Sequence, residues 1–194
     1  MTRPVAVAIT GGIGAGKSEA LAAFARHGAA TVSSDEIVHE LLRRPEVRET
    51  IVERFGNGVV GPDGELDRGA VGTVVFNDRG ALEWLEGLLH PLVSAEYLVW
   101  REQLGELSSP PRVCVTEVPL LYESGADERF DRIVVITAPE GVRRARSEVA
   151  TDERERRLLP DEEKVRRADY AYVNTGSLAE LDEFVASVMD DLTR

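Results

Sequence analysis

Cysteine is almost absent from this 194-residue chain, with Cys114 the only one. A lone thiol excludes an internal disulfide and an all-cysteine zinc site. Its place in the apolar run "VCV" marks it as a buried structural residue rather than a nucleophile. Long hydrophobic runs are missing too, and none approaches the roughly 20 residues of a membrane span. The first residues hold one arginine and then a strand pattern, with no secretory signal. The expectation is a cytoplasmic protein with no membrane partner, of one domain with room for an inserted subdomain. Cationic residues are outnumbered, 23 Lys and Arg against 35 Asp and Glu, for a formal net charge of -12. Such a surface repels a polyphosphate backbone, so no nucleic acid partner is expected. A small anionic ligand is still accommodated where basic groups gather, and six arginines fall within 143–157, in "RRARS" and "RERRLLP".

Glycine, by contrast, is concentrated. The segment "GGIGAGKS" at 11–18 follows the apolar run "VAVAIT" and fits the phosphate-binding pattern G-x-x-x-x-G-K-[ST]. Glycines let successive backbone N–H groups converge on phosphate oxygens without a Cβ in the way. The lysine reaches the β- and γ-phosphates, the hydroxyl ligates magnesium, and the next helix turns its positive end to the anion. A glycine-rich turn that binds nothing would have the same composition. The context decides against it, because Val5, Val7 and Ile9 read as a strand before the loop and "SEALAAFARHG" as a helix after it, closed by Gly28. The loop is expected to bind ATP through Gly12, Ile13, Gly14, Ala15, Gly16, Lys17, Ser18 and Glu19, with Mg2+ at Ser18.

β-rich runs recur at 5–10, 30–33, 113–118, 132–137 and 170–173, separated by helical stretches. That alternation predicts an α/β fold around a mostly parallel five-stranded sheet. The interval 36–107 breaks it. "DEIVHELLRR" and "EVRETIVERFG" have helical spacing, "NGVVGPDGELDRG" reads as a loop, and a long helix follows in which Pro91 starts or kinks a segment. Residues 36–107 are therefore expected to form a helical substrate-binding insertion, with 1–35 and 108–194 as the core. The charge-dense tract 151–167 offers Glu162/Arg166 and Glu163/Arg167 at i,i+4 spacing, which suits a solvated helix or a functional lid.

The segments "AITGGIGAGKS", "GELDRGAVGTVVF" (a loop in this reading), "LLHP", "VPLLYE" and "ADYAYVNTGSLAEL" occur in this order along nearly the whole chain. The combination resembles the dephospho-coenzyme A kinase family. The resemblance implies transfer of the ATP γ-phosphoryl group to the ribose 3′-hydroxyl of dephospho-coenzyme A. It also implies a three-layer P-loop kinase core, a helical coenzyme A subdomain and a short lid at about 141–160. A monomer or weak homo-oligomer is expected. A nucleoside or nucleotide kinase of similar architecture is the runner-up. A GTP-binding switch module is a third reading, weakened by the lack of an Asn-Lys-x-Asp motif.

Phosphoryl transfer needs electrostatic clamps and an oriented acceptor hydroxyl. Lys17 is the expected clamp. Asp35 follows the second strand and matches the last aspartate of the family's Asp-Ala-Asp segment, which implies an acceptor-orienting base; its bland reading is a helix N-cap. The family's first aspartate is Ser33 here. Glu117 ends the third strand and is read either as a magnesium-linked acid in the substrate site or as a carboxylate bonded to neighbouring backbone. Arg68 is expected to neutralise substrate phosphate, with Asp67 capping the next helix, and His90 before Pro91 is expected in the substrate pocket. His27 and His39 carry no assigned role. One lid arginine among Arg143, Arg144, Arg146 and Arg154 should face the transferring phosphate, with Arg144 the working choice. Leu158 stands where the family has a glutamine. Glu19 replaces a frequent second hydroxyl and puts a negative charge near bound phosphate. Asn174 and Gly176 match a segment that contacts adenine in such kinases; a turn between strand and helix is the alternative.

Overall fold

The computed structural model describes residues 3–146 and 159–194. In chain order the elements are β1 (Val5–Thr10), α1 (Lys17–Arg26), β2 (Ala30–Ser33), α2 (Ser34–Leu42), α3 (Pro45–Phe55), α4 (Arg68–Asn77) and α5 (Arg79–Glu106). They are followed by β3 (Val113–Glu117), β4 (Arg132–Thr137), α6 (Glu140–Arg146), α7 (Asp161–Arg167), β5 (Tyr170–Val173) and α8 (Leu178–Leu192). The chain divides into two compact units, Met1–Ser33 with Arg101–Arg194, and Ser34–Trp100.

The first unit is built on a five-stranded sheet of order β2-β3-β1-β4-β5 in which every pairing is parallel. Side chains alternate across it, as strand geometry demands. Val7, Ile9, Val134 and Ile136 join Phe24 of α1 and Leu181 and Val185 of α8 on one face. Ala8, Ile133 and Val135 meet Leu121, Tyr122, Leu159 and Ala168 on the other. Both faces are covered, which is why these strands read as unbroken apolar runs. Cys114 is fully buried in β3. Helix α1 ends in a Schellman turn: Ala29 N–H bonds Phe24 O and Gly28 N–H bonds Ala25 O, both at 3.0 Å. Gly28 takes the left-handed φ of +89° that this turn requires.

The second unit has its own core, in which Leu42, Val47, Ile51, Val59, Val71 and Leu89 are buried. Phe55 meets Trp84 edge to face, with ring centroids 5.2 Å apart. Helix α3 starts at Pro45, whose missing N–H costs nothing at that position. Two local expectations need correction. "GELDRGAVGTVVF" is not all loop: Asp67 accepts from Gly69 N and Ala70 N and so caps α4. Pro91 does not start a segment, because α5 runs through it. No helix among the described residues is long and apolar enough to cross a membrane.

Candidate active site

The loop between β1 and α1 emerges at the carboxyl end of the sheet's central strand, where open α/β sheets bind ligands. Its glycines are forced by close neighbours. A Cβ on Gly11 would lie 1.9 Å from Ile136 O, and its φ of +146° is itself glycine territory. A Cβ on Gly16 would fall 2.4 Å from Asn174 Nδ2. Lys17 opens α1, and its Nζ donates to Gly12 O at 3.0 Å across the loop. Only 9% of Lys17 is exposed, and Nζ stands 3.8 Å from Glu117 Oε1. Ser18 Oγ donates to Glu117 Oε2 at 3.0 Å. Lys17, Ser18 and Glu117 thus converge on one spot. Glu117 is engaged by these side chains, so its carboxylate is not simply tied to backbone.

Glu19 does not face that spot. Its Oε1 accepts from Arg26 Nη1 and Nη2, each at 3.2 Å, and Arg26 also bonds Asp182 at 2.8 Å. The extra charge is drawn to the outer side of α1 and neutralised there. Asp182 also pairs with His27 Nε2 at 3.0 Å. Arg26 first and His27 second hold the Asp182 carboxyl below its ordinary value.

The arginines of α6 separate. Arg144 pairs with Glu140 one turn away, at 2.5 Å, with 73% of its side chain exposed. Arg143 instead lies on the loop, its Nη1 2.8 Å from where a Cβ of Gly12 would sit and its carbonyl 2.9 Å from that of Gly14. Arg146 Nη1 is 3.5 Å from the corresponding point on Gly16 and its Nη2 3.7 Å from that on Gly176. Helical geometry gives the reason, since 143 and 146 share a face and 144 is turned about 100° away. Arg154 and Leu158 lie outside the described residues.

Asn174 is 3% exposed and sits just past β5. Its N–H bonds Thr137 O at 2.7 Å, its Nδ2 donates to Ala15 O at 2.9 Å, and its Oδ1 accepts from Gly176 N at 3.0 Å. In the second unit, Asp35 is exposed and lies within the first turn of α2, which begins at Ser34, so Asp35 is not its N-cap. Ser33, two residues before it, is in register with Glu117 across the sheet. Arg68 opens α4, and its Nη1 lies 3.2 Å from His39 Nδ1. His90 is exposed on α5.

Sequence reasoning missed Lys164 and Glu123. Lys164 of α7 is fully buried and pairs with Glu123 Oε1 at 3.0 Å, which also accepts from Leu159 N at 2.8 Å. The expected i,i+4 pairs of this helix give way to others: Arg166 bonds Glu163, and Arg167 reaches Asp127 at 2.9 Å. Arg167 also stacks 4.1 Å over the ring of Tyr122, whose phenol is pushed up by burial. The signal was available, because the chain has only two lysines, Lys17 and Lys164, among its 23 basic residues. Both are buried and both meet a glutamate at or after the end of β3.

Residues 5–180 match the family model described as dephospho-CoA kinase. A dephospho-CoA kinase of Symbiobacterium thermophilum is 42% identical over 89% of this chain and 74% of its own length. That of Aquifex aeolicus is 32% identical over 97% of both. A crystal structure from Thermus thermophilus, of the protein TT1252, superposes with a TM-score of 0.78 at 34% identity over 100% of both chains. With a phosphate loop at its head and this match along nearly all its length, the chain belongs to the dephospho-CoA kinase family, enzymes that phosphorylate dephospho-CoA to CoA.

Proposed function

We propose that the protein uses ATP, in the cytoplasm, to phosphorylate the ribose 3′-hydroxyl of dephospho-CoA, with Lys17, Ser18 and Glu117 at the transferred group. The convergence of these three side chains on one spot carries the reading. The residues fit Mg2+: a serine hydroxyl and a carboxylate are hard oxygen donors, and this ion is ordinarily held by one or two protein oxygens together with substrate phosphates and water. Among the described residues no group of three His, Cys, Asp or Glu forms an all-protein cage instead. Ser18 and Glu117 would hold the ion, which when bound would supply charge neutralisation to the triphosphate.

Lys17, buried and held across the loop by its bond to Gly12 O, is assigned to the transferred phosphate, where a fixed cation stabilises transition-state charge better than water does. Arg143 and Arg146 are assigned to the same task from the α6 side, in place of Arg144. Asp35 is assigned to the acceptor. As the 3′-oxygen bonds phosphorus and the β–γ bridging bond breaks to leave ADP, the hydroxyl proton passes to its carboxylate. Arg68, with His39 behind it, and His90 are assigned to the coenzyme A moiety. A coupled ADP-release assay across dephospho-CoA, nucleosides and nucleoside monophosphates tests the reading. Turnover confined to dephospho-CoA is expected, and preference for a free nucleoside or monophosphate overturns it.

A further inference from the structure

Asn174 is built into the phosphate loop by both ends of its side chain. Its amide can only donate and its carbonyl only accept, so the bonds to Ala15 O and from Gly176 N settle which end is which. The Gly176 bond closes an Asx-type turn that holds the carboxamide in place. The Ala15 bond has a consequence one atom further on. In a planar trans peptide the C=O and the next N–H point in opposite directions. With Ala15 O anchored on Asn174, the N–H of Gly16 is therefore directed away from it. Gly16 itself has φ +98° and no room for a Cβ beside Nδ2.

Resting on the reading of this loop as a triphosphate cradle, we propose that Asn174 is a positioning residue for the triphosphate: it sets the Ala15–Gly16 peptide plane, and with it an anion-binding N–H, rather than reading the adenine base. The side chain is 3% exposed, and both its polar ends are engaged within the protein. The backbone N–H of residue 174, donating to Thr137 O at 2.7 Å, continues the β4–β5 ladder, so the carboxamide reaches the loop from a fixed point at the end of the sheet.

The test uses Asn174→Ser, whose hydroxyl keeps the turn onto Gly176 but is too short to reach Ala15, with Asn174→Ala alongside should one of them fail to fold. Binding of inorganic tripolyphosphate is measured by calorimetry, and kcat/KM is measured with ATP and with GTP. Tripolyphosphate affinity should fall tenfold or more, and kcat/KM should fall by one common factor for both nucleotides, leaving their ratio within twofold of wild type. Tripolyphosphate binding within twofold of wild type overturns the proposal, as does a tenfold change in the ATP:GTP ratio. The polyphosphate probe contains neither base nor acceptor. A protein that failed to phosphorylate dephospho-CoA while losing tripolyphosphate on Asn174→Ser would refute the proposed function and uphold this role.

Discussion

Ser18 Oγ and Glu117 Oε2 lie 3.0 Å apart, one in the first turn of α1 and the other at the last residue of β3. Loop and neighbouring strand thereby present a hydroxyl and a carboxylate together. Glu117→Gln keeps the shape and removes the charge. It is expected to raise the Mg2+ concentration for half-maximal activity by about tenfold, roughly 1.4 kcal/mol of lost cation binding. A Mg2+ titration at fixed ATP checks this, and an unchanged midpoint would assign Glu117 to loop architecture alone.

Asp35→Asn is expected to lower kcat by about a hundredfold, within the span ascribed to a positioned base, with KM for ATP little changed. Because Asp35 lies in the first turn of α2, the variant also loses a favourable interaction with the helix dipole, worth about 0.3–1 kcal/mol. Steady-state kinetics beside a thermal melt separates the two effects. A normal kcat with a lowered melting temperature would leave Asp35 a helix-stabilising role only.

Alanine replacements along α6 should be unequal. Arg143→Ala and Arg146→Ala are each expected to reduce turnover about tenfold or more, equivalent to about 1.4 kcal/mol of transition-state stabilisation. Arg144→Ala should stay within about twofold, since its exposed pair with Glu140 contributes little. The reverse ranking in a turnover assay would return the role to Arg144.

The Asp182 cluster predicts an acid limb in stability. Arg26 and His27 lower the folded-state pKa of Asp182 below its ordinary value of 3.8. A depressed carboxyl contributes stability that is present above the unfolded pKa and lost as pH falls through the folded one. Urea midpoints of wild type and Asp182→Asn should therefore differ near neutrality and converge as pH drops below about 3.8. High salt should shrink the gap, because the groups are exposed. A gap that stays constant with pH would show that the cluster is not stabilising the fold.

Much of the core was legible because parallel strands buried on both faces have a pattern of their own, and the loop motif specifies its glycines by backbone geometry. Val7, Ile9 and Gly11 could be read directly. Side-chain partnerships could not. Nothing in the spacing of Arg143, Arg144 and Arg146 tells which one turns inward until α6 is docked. Glu19 looked like a burden on the phosphate site because Arg26 and Asp182 are seven and 163 residues away in sequence. The role of Asn174 was hidden for the same reason, since Ala15 O and Asn174 Nδ2 are brought together only by the sheet. Asp67 was readable as a cap because capping is local.

β1 comes first in the chain yet is the middle strand of the sheet, with Val5 opposite Val113 on one side and Val7 opposite Arg132 on the other. On a ribosome, both of its edges stay without partners until most of the polypeptide has been made. Unit Ser34–Trp100, which has its own apolar core, is complete well before then. Non-local pairing of this kind is slow and leaves an apolar strand exposed to aggregation while it waits. The arrangement that puts the phosphate loop at the centre of the sheet thus ties the strand that carries it to partners made more than a hundred residues later, Val113 for Val5 and Arg132 for Val7.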